Sequence, residues 1–417
     1  MMKFLTGKIG STRSLFFSVG VMIISFSSII LATSSYAETK QTTDLTSDKV
    51  SLIFKDKSLN LSLFSPIFLE HVPAPQLEKI ITELKLSFGT LESIDITDGK
   101  GFAYFEKAKV PITIALDHNN QINTLWFGAP KFNNINFEET IKSLQDAAIG
   151  NKSLLIIVDN KPIFSENNKT PMAVGSTFKL LVLKAYEEAV NTGKIKRDEI
   201  IVLQENSRSL PSGVLQILPA NTPVNLEILA QLMVHSSDNT ATDSLIHLLK
   251  KSNIEKYSPR NTPLLTTKEF FQLISSNNEL LRAKYSTSSI PVKNQVLLEL
   301  GKLPLPDTNN IGKSATWKDV EWYMSADEIC NTLTSIKDAP ALNSSLNPLF
   351  RNLNWQKIGF KGGSEYGVIN FSVIGKTPKG HKVCAVFTAN GDEPQPESKL
   401  AILFTGLLQT IDSIKSE

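Results

Sequence analysis

The chain has 417 residues, of which 41% are hydrophobic and 20% are charged. This balance predicts a globular protein with one large core or two moderate ones, and it excludes an intrinsically disordered chain. The formal net charge is only +2, so the composition does not favour binding to nucleic acid or to an anionic membrane surface.

Residues 1–37 have the pattern of a secretory signal peptide. Lys3, Lys8 and Arg13 precede a mostly apolar run over residues 15–31, and Ser35-Tyr36-Ala37 fits a small-x-small cleavage site. The alternative is an uncleaved anchor, since a mostly apolar run of 17 residues is near the shortest membrane span. Cleavage would leave 40 Lys and Arg against 41 Asp and Glu. We therefore predict a secreted or periplasmic protein with no stable membrane span after cleavage.

The next segment, residues 38–58, begins with a polar stretch and is predicted to be a flexible lead. Residues 59–131 are predicted to form a small α+β domain, with a helix over 75–85 and strands over 101–106, 110–116 and 121–127. The turn Asp117-His118-Asn119-Asn120 predicts a hairpin between the last two strands. A helix on a curved antiparallel sheet resembles the ketosteroid-isomerase-like or cystatin-like architecture. We expect this domain to be a spacer or a gate for substrate.

Residues 132–417 are predicted to form a second, larger domain. A linker and a helix lead to a hairpin around Asp159-Asn160, and a mainly helical block follows from residue 176 to about 333. Three strands over 356–361, 368–374 and 382–387 and a last helix over 397–414 complete it. Strands at both ends with helices between them predict an antiparallel sheet with helices on its faces and an all-helical lobe.

The motif Ser176-Thr177-Phe178-Lys179 opens a helical stretch and is the only S-x-x-K in the chain. A serine hydroxyl needs an adjacent base to become a good nucleophile, and residues three apart lie on one face of a helix. Burial and the positive end of a helix both favour a neutral lysine amine that can accept the proton. Gly175 lets the backbone turn sharply just before the serine.

Two further motifs follow in order, Ser237-Asp238-Asn239 and Lys361-Gly362-Gly363. Each is weak alone, but the ordered triplet is the signature of serine enzymes that are acylated by penicillin-like substrates. From about residue 145 onward, the chain resembles class A β-lactamases and the related penicillin-recognising serine hydrolases. The tracts 211–216 and 223–246 are similar to the helical domain of that family.

The resemblance implies a role for each matching residue. Ser176 would be the acylated nucleophile, Lys179 its base, and Ser237 the shuttle that carries a proton to the leaving group. Asn239 would contact the substrate amide or hold Lys179. The substrate-binding strand would carry three more residues, which are Lys361, Gly363 and Ser364. Lys361 would attract a substrate carboxylate, and the backbone N–H groups of Ser176 and Ser364 would form the oxyanion hole.

Two departures from the family pattern affect substrate binding and deacylation. Gly362 stands where the family usually has Thr or Ser, and no Glu-x-x-Leu-Asn occurs between Asn239 and Lys361. Glu255 lies in roughly the right region, but its context does not match. A nearer resemblance is to the β-lactamase-like protein of clavulanic acid gene clusters, which has an extra N-terminal domain and lacks the deacylating Glu. The tract 319–330 resembles that subgroup as well.

Other classes of chemistry lack their motifs. The chain has no G-x-S-x-G, no H-E-x-x-H and no Gly-rich loop that fits a nucleotide, so we expect no metal and no cofactor. Cys330 and Cys384 are the only cysteines, and either a disulfide or two buried thiols is consistent with the sequence.

We therefore predict a monomeric serine hydrolase that acts on β-lactams or related amides and esters, in β-lactam breakdown or antibiotic resistance. The alternatives are a D,D-peptidase that acts on cell-wall peptides, an esterase with poor β-lactam turnover, or a penicillin-binding sensor without turnover.

Overall fold

The structure, a computed structural model, describes residues 38–411 except 56–57, 129, 134, 312–313, 316–317, 319 and 345–346. The predicted signal peptide, residues 1–37, lies outside the described residues. Of the described chain, one compact unit holds Leu181–Trp322, and the other holds residues 38–180 and 323–411. No helix within these ranges has both the length and the apolar character needed to cross a membrane.

The described residues form helices and strands that are numbered in chain order. The α-helices are α1 Glu38–Lys55, α2 Pro66–His71, α3 Ala74–Phe88, α4 Phe137–Ala147, α5 Lys179–Asn191, α6 Leu226–His235, α7 Asn239–Leu249, α8 Ser252–Glu255, α9 Thr267–Ile274, α10 Glu279–Thr287, α11 Ile290–Leu300, α12 Ala326–Ser335 and α13 Glu397–Thr410. The strands are β1 Leu91–Thr97, β2 Lys100–Phe105, β3 Ala108–Leu116, β4 Ile122–Phe127, β5 Lys131–Phe132, β6 Asn151–Val158, β7 Lys161–Glu166, β8 Met172–Ala173, β9 Ile200–Val202, β10 Pro223–Asn225, β11 Tyr323–Met324, β12 Lys357–Glu365, β13 Val368–Lys376 and β14 Lys382–Asn390.

The N-terminal part is an antiparallel sheet in the order β1-β2-β3-β4, with β5 also paired to β3. The hairpin between β3 and β4 turns at the predicted place, where the Asp117 carboxylate accepts hydrogen bonds from the N–H groups of Asn119 and Gln121. Strand β1 was not predicted from the sequence. The ketosteroid-isomerase-like or cystatin-like assignment stays a prediction.

The prediction of a flexible lead over residues 38–58 is wrong for most of that segment, because α1 covers it. Val50, Ile53 and Phe54 of this helix are buried in the N-terminal core. The ring of Phe54 packs edge-on against Phe105 of β2, with 5.1 Å between ring centroids. Burial of this apolar stripe stabilises a helix whose first half is polar.

A second antiparallel sheet has the order β12-β13-β14-β6-β7, so β12, which carries Lys361, is an edge strand. One face packs on α4 and α13 around a core that includes Leu144, Phe387 and Phe404. Side chains alternate between the faces of a strand, so Cys384 points to the face opposite Phe387. There it forms a disulfide with Cys330 of α12, which decides between the two states that the sequence left open.

Helix α13 also contacts the N-terminal sheet. The Gln409 amide accepts a hydrogen bond from the Phe132 N–H at 3.1 Å and donates one to the Pro130 carbonyl at 2.6 Å. A Cβ atom added at Gly406 would lie 2.8 Å from the Phe132 ring, and Ile402 packs against the N-terminal core. One helix therefore contributes to the cores of both sheets.

The unit formed by Leu181–Trp322 is mainly helical, with α6 to α11 and the short β9–β10 hairpin. Its core includes Leu229, Leu245 and Phe270. At its edge, Arg197 forms ion pairs with Glu187 and Glu227. Two antiparallel sheets, flanking helices and a helical lobe confirm the predicted α+β, β-lactamase/transpeptidase-like fold class.

Candidate active site

Ser176 lies in a single 3-10 turn, Gly175–Phe178, that leads directly into α5. Gly175 has a φ angle of +50°, a left-handed conformation that glycine adopts at little cost. Ser176 is partly exposed, whereas Lys179, the first residue of α5, is fully buried. The turn therefore presents the predicted nucleophile to solvent and holds the predicted base in the interior of its unit.

Strand β12 runs against this turn at Gly363 and Ser364. A Cβ atom added at Gly363 would lie 2.0 Å from the Val174 carbonyl oxygen and 2.7 Å from the Ser176 nitrogen, so no larger residue fits there. A Cβ atom added at Gly175 would lie 3.1 Å from the Ser364 nitrogen. The nitrogens of Ser176 and Ser364 therefore lie where the turn meets the strand. That their N–H groups form an oxyanion hole stays a prediction.

A buried network of hydrogen bonds joins the Ser176 turn to strands β13 and β14. The Thr177 hydroxyl donates a hydrogen bond to the Asn370 side-chain carbonyl at 2.8 Å, and the Ser372 hydroxyl donates to the same oxygen at 2.6 Å. The Asn370 amide donates in turn to the Thr388 hydroxyl at 2.8 Å. Asn370 pairs with Gly363 in the sheet register, so the network fixes the turn to the strands behind it.

The sequence did not predict this network. The available signal was a set of polar residues inside otherwise apolar central strands, because buried polar side chains in a core need hydrogen-bond partners. Which residues would pair depends on the strand register, and the pattern of single strands does not reveal it.

Lys361 is buried on β12, and its ammonium group donates a hydrogen bond to the Gly362 carbonyl at 2.5 Å. Burial lowers the pKa of Lys361 to about 7, because a charged amine loses hydration there. A substrate carboxylate would stabilise the protonated form and raise this pKa again. The group can therefore change charge near neutral pH, where it would meet an anionic substrate.

This pKa predicts a pH-dependent affinity. Below about pH 7 Lys361 is protonated and would attract a substrate carboxylate, and above it the unliganded protein carries a neutral amine. We expect KM for a carboxylate-bearing β-lactam to rise by about tenfold per pH unit above that value, since each unit lowers the protonated fraction tenfold. The measurement is KM from pH 6 to 9. Lys361→Arg should remove the dependence because arginine stays charged, and an unchanged profile in Lys361→Met would contradict the assignment.

Two carboxyl groups flank Ser364, and neither was predicted as a site residue from the sequence. The Glu397 side chain, at the start of α13, hydrogen-bonds with the Ser364 side chain. Burial raises the pKa of Glu397 to about 7, although this hydrogen bond and the charge of Lys79 on α3 oppose the rise. Glu365 follows Ser364 on β12, and burial raises its pKa to about 8.

In the helical unit, the Ser237-Asp238-Asn239 motif forms the N-terminus of α7. The Asp238 carboxylate accepts hydrogen bonds from the N–H groups of Ala241, Val214 and Leu215 at 2.6–2.9 Å. Ser237 has a φ angle of +52°, a left-handed conformation that costs energy for a serine and often marks functional sites. Asp238 thus fixes the motif to the 210–218 loop.

Asn239 is buried, and its side-chain amide donates a hydrogen bond to the Leu210 carbonyl at 2.9 Å. The structure thus places Ser176, Lys179, Lys361, Gly363 and Ser364 in one unit, and Ser237 and Asn239 in the other. That the two sets act at one site stays a prediction. No group of three or more His, Cys, Asp or Glu side chains in the described ranges is arranged to hold a metal ion.

Two acidic residues hold the segment after α8, where the family's Glu-x-x-Leu-Asn loop would be expected. The Glu255 carboxylate accepts a hydrogen bond from the Leu264 N–H at 2.8 Å. The buried Asp243 carboxylate accepts from the N–H groups of Thr267 and Lys268. Burial raises the pKa of Asp243 to about 7, against the lowering effect of these hydrogen bonds. Both side chains hold the backbone of residues 264–268.

Comparison with known structures finds similar chains at low sequence identity. A β-lactamase from Sphaerobacter thermophilus is 22% identical, with 68% of this chain and 100% of that chain covered and a TM-score of 0.46. A β-lactamase from Xanthomonas campestris pv. campestris is 14% identical, with coverages of 66% and 96% and a TM-score of 0.43. PBP-A is 16% identical, with coverages of 66% and 97% and a TM-score of 0.43.

A comparison with curated proteins gives no match. The model of the beta-lactamase enzyme family, in contrast, matches residues 136–402. That range contains the S-x-x-K, S-D-N and K-G-G motifs and covers well over half of the chain. The chain therefore belongs to the β-lactamase enzyme family.

Proposed function

We propose that the protein is a secreted serine hydrolase that forms an acyl-enzyme on Ser176 with β-lactams or related amides and esters. The observation that supports the proposal is the close packing of the Ser176 turn against Gly363–Ser364, beside a partly exposed serine. Such preorganised donors stabilise the oxyanion of a tetrahedral intermediate and typically contribute about 3 kcal/mol each.

The proposed acylation uses five side chains. Lys179 accepts the Ser176 proton while the serine oxygen attacks the carbonyl carbon, and the oxyanion forms against the N–H groups of Ser176 and Ser364. Ser237 passes a proton to the leaving nitrogen or oxygen as the scissile bond breaks. Lys361 attracts the substrate carboxylate, and Asn239 contacts the substrate amide. The product of this step is an ester of Ser176.

A second candidate is an enzyme or sensor that is acylated by β-lactams and releases them slowly. The absence of a Glu-x-x-Leu-Asn motif between Asn239 and Lys361 favours it. Glu255, which lies in roughly the region expected for that loop, accepts a hydrogen bond from the Leu264 N–H. A D,D-peptidase, an esterase and a penicillin-binding sensor all belong to this candidate.

The test is a time course with a chromogenic cephalosporin, followed by intact mass spectrometry of the same sample. Sustained turnover is expected for a β-lactamase. A stoichiometric burst with a stable adduct on Ser176 would favour the second candidate. The absence of both an adduct and turnover, also with p-nitrophenyl esters, would refute the proposed function.

A further inference from the structure

The acyl-enzyme needs a group that activates water, and the strand that carries the oxyanion donor also carries a carboxyl group. Side chains alternate along a strand, so Lys361, Gly363 and Glu365 share one face of β12. Gly363 shows where this face points, because a Cβ atom added there would meet the Val174 oxygen and the Ser176 nitrogen. Glu365 therefore projects from the same face that contacts the nucleophile turn.

The backbone next to this carboxyl group packs directly against the nucleophile turn. Gly363, two residues before Glu365, lies against Gly175 with no space for a side chain between them. Glu365 is the last residue of β12 and pairs with Val368, so the hairpin to β13 fixes its backbone. It directly follows Ser364, whose N–H is the proposed second oxyanion donor. The Glu365 side chain therefore leaves β12 on the side that faces the Ser176 turn, two residues beyond the contact at Gly363.

Three other acidic side chains already have hydrogen-bond partners of their own. Glu255 and Asp243 hold the backbone of residues 264–268. Glu397 hydrogen-bonds with Ser364 from the opposite face of β12, since Ser364 alternates with Gly363. Glu365 is partly buried, and its pKa of about 8 lies in the range that suits a general base near neutral pH.

We propose that Glu365 is the general base that activates water for hydrolysis of the Ser176 acyl-enzyme, in place of the missing Glu-x-x-Leu-Asn glutamate. This inference rests on the proposed function. The Glu365 carboxylate takes a proton from water as the water oxygen bonds to the acyl carbon, and the oxyanion again lies against the N–H groups of Ser176 and Ser364. When the bond from the acyl carbon to the Ser176 oxygen breaks, that oxygen receives the proton, and a carboxylic acid leaves.

The experiment separates formation of the adduct from its decay in the full chain. Rapid mixing with a chromogenic cephalosporin and with a p-nitrophenyl ester, followed by intact mass spectrometry, gives both rates. Glu365→Gln should form the adduct within about threefold of the wild-type rate and lose it at least about 100-fold more slowly. The wild-type decay rate should rise about tenfold per pH unit up to about pH 8, and the Gln variant should lose this dependence.

Two further variants exclude a merely structural effect. Glu365→Ala should regain at least about fivefold in adduct decay with added sodium formate, because a free carboxylate can replace the missing base. Glu365→Asp keeps a carboxylate and should retain the pH dependence at a lower rate. A thermal unfolding curve would reveal whether the Gln variant folds poorly. In that case, formate rescue of the Ala variant and the pH dependence of the Asp variant still test the proposal.

Glu255→Gln is the matched control, because Gln can still accept the Leu264 N–H bond, and its adduct should decay within about twofold of wild type. Three outcomes would overturn the assignment of Glu365. The adduct could decay at the wild-type rate in Glu365→Gln, it could fail to decay in Glu255→Gln, or it could be permanently stable in the wild-type protein. If the wild-type chain forms no adduct with either substrate, the proposed function itself is refuted. The proposed role of Glu365 as general base is then refuted as well.

Discussion

Ser176→Ala is expected to form no covalent adduct and to lose turnover by at least about 10⁴-fold, the scale of loss seen when a serine nucleophile is removed. The adjacent hydroxyl cannot replace it, because Thr177 is fully buried and donates its hydrogen bond to Asn370. Intact mass spectrometry after incubation with a chromogenic cephalosporin, together with the initial rate, measures both effects.

The matched control for this change is Ser398→Ala, which removes an exposed serine hydroxyl from the first turn of α13. It should keep both the adduct and the wild-type rate. Full activity of Ser176→Ala, or an adduct of unchanged yield, would refute the acyl-enzyme mechanism.

Lys179→Ala is expected to slow acylation by about 10²–10⁴-fold, the usual contribution of a general base. The side chain is fully buried, so its removal also leaves a cavity that lowers stability. Lys179→Met separates the two effects, since methionine fills most of the space without an amine. If the amine is the base, both variants acylate slowly, whereas only the Ala variant unfolds at a clearly lower temperature.

Lys184→Met is the control for loss of a charge from α5. Its ammonium group lies 4.6 Å from the centre of the Tyr257 ring, within the helical unit. The change should leave the acylation rate within about twofold of wild type. Near-normal acylation in Lys179→Met would show that a group other than Lys179 is the base.

Local patterns in the sequence predicted many of the elements that position the site. The hairpins formed by β3–β4 and by β6–β7 lie where alternating apolar residues flank turn residues, because both signals act over a few neighbouring positions. The helix after Ser176 was predicted as well, although the 3-10 turn Gly175–Phe178 precedes it and contains the serine. The apolar stripe of α1 was missed because the segment begins with polar residues.

The remaining features depend on residues that are distant in the chain. Asn370 reaches Thr177 only because β13 pairs with β12, and Glu397 reaches Ser364 only because α13 packs on the same sheet. The disulfide between Cys330 and Cys384 needs α12 and β14 side by side. A single sequence carries no record of these pairings, so the nucleophile and its base were identifiable by motif while the groups that support them were not.

Helix α13 contributes to the cores of both sheets, and this limits where the chain can be shortened. The family match ends at Ile402, inside the helix. A recombinant fragment cut at that point would lack Phe404, Leu407 and Leu408 from the core of the catalytic sheet, as well as the amide of Gln409. A fragment that instead begins at residue 136 would leave Ile402 and Gly406 without the surface that covers them. A fragment for expression and crystallisation should therefore retain both sheets and the whole of α13.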